Sequence, residues 1–472
     1  MGLVLSQHFL GCLAHASYLV ADDASGRAVV VDPQRDVDVY LDEAQQRRLQ
    51  ITDVLLTHFH ADFLAGHLEL QARAGATIRL GAVAKAEYPF VPMVDGTHLD
   101  LGPSVRLHFL ATPGHTPEST SIVVQEHVGR GWHPHAVLTG DTLFIGDIGR
   151  PDLLVGVGCS PQQMASDLYD SLHTKLLVLP DSTLVYPAHG AGSMCGRHLS
   201  EETSSTIGIQ RQFNAALQPM AREAFVAMAV ADLPEAPAYF SYDAVLNTKQ
   251  HPTLQHVLSQ TLRPLSLDEV LERLRSGAQL LDAREPMEFS GAHLRGAINI
   301  GLAGTYASWA GTLFDPTRPI ILVAEPGTEQ EASTRLARIG FDQVAGFLAG
   351  AMAALSDQPQ LVQRTKRVTA ATLAEQLRGH DAPLVLDVRT KTEFDKGHIA
   401  GSTNIPLAHL RKRIAEVPQH GRLVVHCHSG YRSSIAQSVL APIHQGPVEE
   451  LVGGFLAWEA AGLPTARQLP TA

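Results

Sequence analysis

A chain of 472 residues is long for one hydrophobic core and sets a prior of about three domains. Its formal net charge of −12 argues against a nucleic-acid partner and supplies no basic tract for a membrane surface. No apolar run approaches the roughly 18 residues that a bilayer span needs. Four scattered cysteines (Cys12, Cys159, Cys195 and Cys427) do not make a disulfide framework, so a reducing cytoplasm is expected.

In chain order, Val4 to Phe9 reads as a first strand, a better account of the N-terminus than the loose myristoylation pattern of Met1 to Ser6. No signal peptide is expected, because the basic start and long apolar core are missing. The apolar runs Tyr18–Ala21 and Ala28–Asp32 flank Asp23–Gly26 as a hairpin would. Val37–Leu49 has helical periodicity, and Val54–Thr57 is the next strand. It runs into Thr57-His58-Phe59-His60-Ala61-Asp62-Phe63. Two histidines and a carboxylate spaced by two can point into one loop cavity, and they are common donors to a divalent metal. A helix over Ala65–Ala74 follows. Extended segments at Leu107–Ala111, Ser121–Val124 and Ala136–Thr139 continue the pattern, which predicts a layered αββα domain with its chemistry on loops at strand ends. His115, Asp141 and His189 each follow such a segment, in Thr112-Pro113-Gly114-His115, Gly140-Asp141-Thr142 and Tyr186-Pro187-Ala188-His189.

Four ligand-bearing segments in this order resemble the metallo-β-lactamase superfamily. That family's first loop commonly ends in a further histidine, and here the position is Phe63. Dinuclear zinc hydrolases of the glyoxalase II type use that histidine, so its loss favours a mononuclear site at His58, His115 and Asp141. Two imidazoles and one carboxylate leave open positions that suit Fe(II) and O₂. His60, Asp62 and His189 become supports that orient the ligands or a bound water. The wording from His58 to His67, from Gly140 to Asp152 and from Tyr186 to Gly196 resembles the persulfide dioxygenase branch. The resemblance extends over about residues 3–250, through Ala236–Phe240 and Asn247, with Thr248 where the family usually has arginine. It implies one Fe(II) per chain, oxidation of a small thiol persulfide to sulfite, a substrate-facing Arg150 and a sulfur relay at Cys195. Arg150 is equally well read as a loop ion pair with Asp147 or Asp152, and Cys195 as a buried apolar filler. Cys12 and Cys159 receive no role.

Leu233–Ala238 and His251–Thr253, with little periodicity between them, read as a linker. The chain then repeats itself. Leu281, Asp282, Arg284, Glu288, Phe289, His293, Asn299 and Ile300 recur at Leu386, Asp387, Arg389, Glu393, Phe394, His398, Asn404 and Ile405. Both copies resemble rhodanese domains, so the expected domains are 1–250, 262–358 and 366–472. In the last copy a strand runs into Cys427-His428-Ser429-Gly430-Tyr431-Arg432, followed by a helix from Ser433. A cysteine at a helix start faces backbone N–H groups that favour thiolate and cradle a persulfide. Gly430 permits the turn, and Arg432 adds a fixed charge. Ser429, Gly430 and Tyr431 are candidate substrate contacts. The Cys-x-x-Gly-x-Arg pattern also suits a dual-specificity phosphatase, but the flanking framework favours sulfur transfer. In the central copy Ala324 and Glu329 replace the cysteine and arginine, which predicts an inactive spacer or docking platform whose Asp282 and Arg284 form a structural ion pair.

The fold expected is therefore α/β, a metallo-β-lactamase αββα sandwich followed by two rhodanese-like domains. The function expected is an iron persulfide dioxygenase fused to a thiosulfate sulfurtransferase. Its small partners would be a thiol persulfide (glutathione, coenzyme A or similar), O₂, sulfite and thiosulfate, and a homo-oligomer is expected. Two alternatives stand beside it: a dinuclear zinc thioester hydrolase fused to a sulfurtransferase, and a noncatalytic persulfide carrier or sensor.

Overall fold

The computed structural model describes residues 2–153, 155, 158–197, 199–231, 233 and 235–467. Pro234 of the expected linker, and the outermost residues 1 and 468–472 of the expected first and last domains, lie outside the described residues. The chain divides into two compact units, Met1–Val257 with Ala337–Gly340, and Leu258–Leu336 with Phe341–Ala472.

In the first unit one sheet runs β1 (Leu3–Leu10), β2 (His15–Asp22), β3 (Arg27–Val31), β4 (Gln50–Leu55), β5 (Thr77–Gly81) and β6 (Val91–Met93), in that order. The second sheet contains β7 (His98–Asp100), β8 (Val105–Ala111), β9 (Thr120–Val128), β10 (Gly131–Gly140), β11 (Leu184–Pro187) and β12 (Ser205–Thr206), again as sequential neighbours. The period-2 alternation explains why the sheets face each other. Tyr18, Val20, Val29 and Val31 from the first share a buried cluster with Leu107, Phe109, Ile122, Val124, Ala136 and Leu138 from the second. The alternate residues Val123 and Val137 point the other way, into Ala165, Leu168, Phe225 and Ala229. Those four lie on the helices Pro161–Asp170 and Arg222–Val230. Helices Asp38–Arg47 and His67–Ala74 pack against β4 on the first sheet. This is the αββα sandwich expected, and it sends the loops after β4, β8, β10 and β11 toward one set of histidines and carboxylates.

The stretch read as a linker is not structureless. Tyr239–Leu246 forms a helix, and Asn247 at its end is fully buried. Its hydrophobicity is nearly all-round, so no amphipathic stripe announces it.

The second unit holds two five-stranded parallel sheets of the same order. The first is β13 (Pro264–Leu265), β18 (Val344–Leu348), β17 (Ile320–Val323), β14 (Gln279–Asp282) and β16 (Ile298–Asn299). The other is β20 (Arg367–Val368), β25 (Val448–Leu451), β24 (Leu423–His426), β21 (Leu384–Asp387) and β23 (Thr403–Asn404). The intervening two-residue strands are β15 (His293–Leu294), β19 (Val362–Gln363) and β22 (His398–Ile399), and β26 (Thr465–Ala466) ends the series. The repeated residues perform the same structural tasks in both copies. Arg284 pairs with Asp282 and Arg389 with Asp387, each at 2.6 Å. Asn299 and Asn404 donate to the carbonyls of residues 282 and 284 and of residues 387 and 389, respectively. His293 stacks on Phe289 and His398 on Phe394, both at 3.8 Å. Most of the repeated wording is therefore framework, and the chemistry lies in one loop that differs.

Candidate metal centre and sulfur-carrying cysteine

The loop after β4 is held on three sides by the buried Asp32 and Asn247 and the half-buried Glu118. Asp32 accepts the Thr57 N–H at 2.7 Å and its hydroxyl at 2.8 Å. The Glu118 carboxylate accepts the Phe59 N–H at 3.0 Å. Asn247 donates to the carbonyls of His60 and Phe63, both at 2.8 Å, and accepts the Ala65 N–H at 2.9 Å. None of these three supports was singled out from the metal-loop spacing, because they lie on distant segments and carry no ligand-type pattern.

Within this frame the donor atoms of His58, His115 and Asp141 all lie within 4.8 Å of one another and are buried. The tautomers follow from the hydrogen bonds. Thr57 donates its hydroxyl proton to Asp32, so its oxygen accepts Nδ1–H of His58 at 3.0 Å. His115 donates Nδ1–H to the Arg150 carbonyl at 2.9 Å. Each Nε2 then keeps its lone pair, faces Asp141 Oδ2 at 3.7 and 3.5 Å respectively, and is buried without a hydrogen-bond partner among the described residues. Metal–donor bonds of about 2.0–2.2 Å put neighbouring ligand atoms roughly 3.0–3.5 Å apart, so the three fit one ion with little movement. Burial pushes both imidazoles below their ordinary range, the neutral state that a ligand needs. Burial opposes ionisation of Asp141, but His189 and His58 outweigh it and hold the carboxyl well below the usual range.

His60, Asp62 and His189 form a second buried group with donor atoms within 4.8 Å. His189 places Nδ1 2.7 Å from Asp141 and Nε2 2.9 Å from Asp62. Burial opposes its protonation, yet the two carboxylates raise its pKa well above the ordinary value. His60 Nε2 lies 3.0 Å from Asp32. Phe63 stands beside this group, 4.4 Å from the His60 ring and 4.1 Å from that of His15. His15, fully buried on β2 and bridged through its backbone to His189, was not read as part of the site. Its contribution comes from strand pairing, which spacing does not encode.

Arg150 points its guanidinium at Asp152, with bonds of 2.7 and 2.8 Å, and at the Met194 carbonyl. An ion pair with Asp152 is therefore present, and the Arg150 backbone carbonyl supports His115. Gly149 makes that approach feasible, since a Cβ there would overlap the Asp141 carbonyl. Cys195 is buried with its sulfur inside the cluster of Asp141 and His189. Burial, and then Asp62 and Asp141, push its thiol well above the ordinary value. Cys12 and Cys159 lie outside these clusters.

In the second unit β24 ends at His426, and the helix begins at Tyr431, two residues earlier than expected. Gly430, at φ 126°, turns its N–H onto Cys427 Sγ at 3.1 Å. The Ser433 hydroxyl lies 3.6 Å from the same sulfur and donates to Glu450 at 2.9 Å. Arg432 is not free to act as an unpaired anion clamp, because its guanidinium forms a two-point pair with Glu393 at 2.7 and 2.8 Å. Glu393 is also the third residue of a capping box with Thr390. Burial would raise its pKa, but Arg432 and the Thr390 N–H outweigh it and bring the carboxyl to about 2. His428 and Ser429 are exposed on the rim, whereas Tyr431 turns inward and donates to the Gly301 carbonyl at 2.8 Å. Tyr431 is thus a structural contact in this state and not part of an open substrate rim.

The comparisons with known proteins agree with this division. Residues 10–189 match the metallo-beta-lactamase superfamily, and residues 266–358 and 369–461 each match the rhodanese-like domain. An uncharacterised protein of Mycobacterium leprae is 34% identical over 44% of this chain and 95% of its own. The mitochondrial persulfide dioxygenase ETHE1 of Bos taurus is 29% identical, over 46% of this chain and 78% of its own. A cytoplasmic hydroxyacylglutathione hydrolase of Arabidopsis thaliana is 32% identical over 37% and 62%. A crystal structure of a metallo-beta-lactamase from Staphylococcus aureus superposes with a TM-score of 0.65 at 28% identity, covering 74% of this chain and 99% of that one. The chain carries a metallo-beta-lactamase superfamily domain followed by two tandem rhodanese-like domains.

Proposed function

We propose that the first unit is a mononuclear iron dioxygenase acting on a small thiol persulfide, and that the second carries sulfane sulfur on Cys427. The observation that carries the first half is the pair of orphaned Nε2 atoms facing one carboxylate, beside a phenylalanine where a second-metal imidazole is usual. The relation to persulfide dioxygenases supports the same reading. The net reaction is RSSH + O₂ + H₂O → RSH + SO₃²⁻ + 2 H⁺, in which sulfane sulfur is oxidised and O₂ reduced. Iron bound by His58, His115 and Asp141 supplies the O₂ chemistry. The protein's own part is to keep both Nε2 lone pairs available through Thr57 and the Arg150 carbonyl. His189, between Asp141 and Asp62, fixes the carboxylate ligand. The sandwich core excludes bulk water from these groups.

In the second half Cys427–S–S⁻ + SO₃²⁻ → Cys427–S⁻ + S₂O₃²⁻ breaks one S–S bond and forms another. The Gly430 N–H, 3.1 Å from Sγ, supports the Cys427 thiolate that leaves when the outer sulfur is transferred. A second reading, a dinuclear zinc thioester hydrolase, is favoured by the His60, Asp62 and His189 cluster and by the relation to hydroxyacylglutathione hydrolase. Metal analysis of anaerobically purified protein tests the two: one iron per chain supports the dioxygenase, and two zinc support the hydrolase.

A further inference from the structure

The helix Tyr431–Leu440, which starts inside the Cys427 loop, is bound along one side by the central copy. The Asn299 N–H donates to Ser438 Oγ at 3.1 Å, and its side-chain oxygen accepts the Ser434 hydroxyl at 2.7 Å. Asn299 spends its amide N–H groups on its own domain as Asn404 does, and uses its remaining atoms to grip this helix. Tyr431 adds the contact nearest the sulfur. Its hydroxyl donates to the Gly301 carbonyl, and its ring covers Gly304 so closely that a Cβ there would overlap it. The carbonyls of Leu302 and Gly304 are held from behind by Arg335 of the central copy, so the receiving loop is itself braced.

We propose that the central rhodanese-like domain is a positioning element for the sulfur-carrying loop, and that Tyr431 is the residue through which it acts. Tyr431 directly follows Gly430, whose N–H must stay aligned with Cys427 Sγ, and hydrogen bonds weaken steeply when alignment is lost. His428 and Ser429 expose their side chains, and this half of the loop is held through its backbone alone, by the Phe455 N–H on the Cys427 carbonyl at 2.8 Å and the Leu456 N–H on the His428 carbonyl at 3.0 Å. The loop is pinned at consecutive residues: Tyr431 on the central copy, Arg432 on Glu393 and Ser433 on Glu450. A domain without a nucleophile is thereby given a role in the neighbouring copy's chemistry. The proposal rests on Cys427 as the sulfur carrier, and its test is chosen to separate the two claims.

The test uses the full chain with Tyr431→Phe, Tyr431→Ala, Gly304→Ala and the double variant Tyr431→Ala/Gly304→Ala. The readouts are the pH profile of iodoacetamide alkylation at Cys427, followed by peptide mass spectrometry, and thiosulfate:cyanide sulfurtransferase kcat and KM. Loss of the hydroxyl is expected to raise the alkylation midpoint by about one pH unit and to lower kcat about tenfold, with KM little changed. Gly304→Ala, made in the other domain, should do the same by displacing the ring, and should add nothing once Tyr431 is alanine. An unchanged alkylation profile in folded variants overturns the proposal, even where Tm falls, because a merely structural contact would move Tm alone. Additive effects in the double variant overturn it too. If the wild-type chain turns over no thiosulfate, the sulfurtransferase reading fails, while the alkylation profile still decides whether Tyr431 positions the loop.

Discussion

Gly327 donates its backbone N–H to the carboxylate of Glu329 at 2.8 Å. In the following copy the corresponding N–H, that of Gly430, is given to Cys427 Sγ. The two loops have kept the same donor and differ in what occupies it. In the central copy the chain's own carboxylate takes up the N–H that faces sulfur in the other, and Ala324 offers no nucleophile. Restoring the cysteine alone, by Ala324→Cys in a Cys427→Ser background, is therefore expected to give no thiosulfate sulfurtransferase activity. Activity from Ala324→Cys without a change at Glu329 would contradict the self-occupied cradle.

Asn247 donates two hydrogen bonds to the metal loop and accepts a third from it, from a buried position at the end of a helix. Asn247→Ala leaves two carbonyls and an N–H unpaired in the interior, a cost of about 2–3 kcal/mol. Urea unfolding should show that loss in the first unit, and metal content after dialysis should fall with it. Asn247→Ala with unchanged metal retention would remove the helix Tyr239–Leu246 from the account of the site.

The pair Arg432–Glu393 makes a directional claim about pH. A carboxyl lowered to about 2 in the folded state contributes stability above its unfolded value, and that contribution fades as pH falls toward the folded value. Acidification from pH 5 toward about 2 should therefore loosen the Cys427 loop in wild type more than in Glu393→Gln. Fluorescence or exchange measured on the peptide spanning 427–433 reads this directly. Equal acid sensitivity in both proteins would contradict it.

The architecture was legible because its signals are local and periodic. Alternating strands predicted the two facing sheets, and a constant offset between Asp282 and Asp387 exposed the duplicated unit. His58, His115 and Asp141 were legible because each follows a strand end in a recognisable segment. What sequence could not give was set by long-range pairing. His15 enters the site across a strand, Asn247 reaches the metal loop from the end of a helix that periodicity does not announce, and Tyr431 turns onto the central copy. The roles of Arg150 and Arg432 likewise depended on which carboxylate lay within reach, Asp152 in one case and Glu393 in the other. Spacing alone does not decide such partners.

The central claim is a single iron at His58, His115 and Asp141 that supports persulfide oxidation. The most direct measurement is metal content together with O₂ consumption on anaerobically purified full-length protein supplied with glutathione persulfide. The account predicts one iron per chain and persulfide-dependent O₂ uptake that is abolished by His115→Ala and retained by Cys427→Ser. Two zinc per chain with no O₂ uptake would contradict it and identify the first unit as a hydrolase.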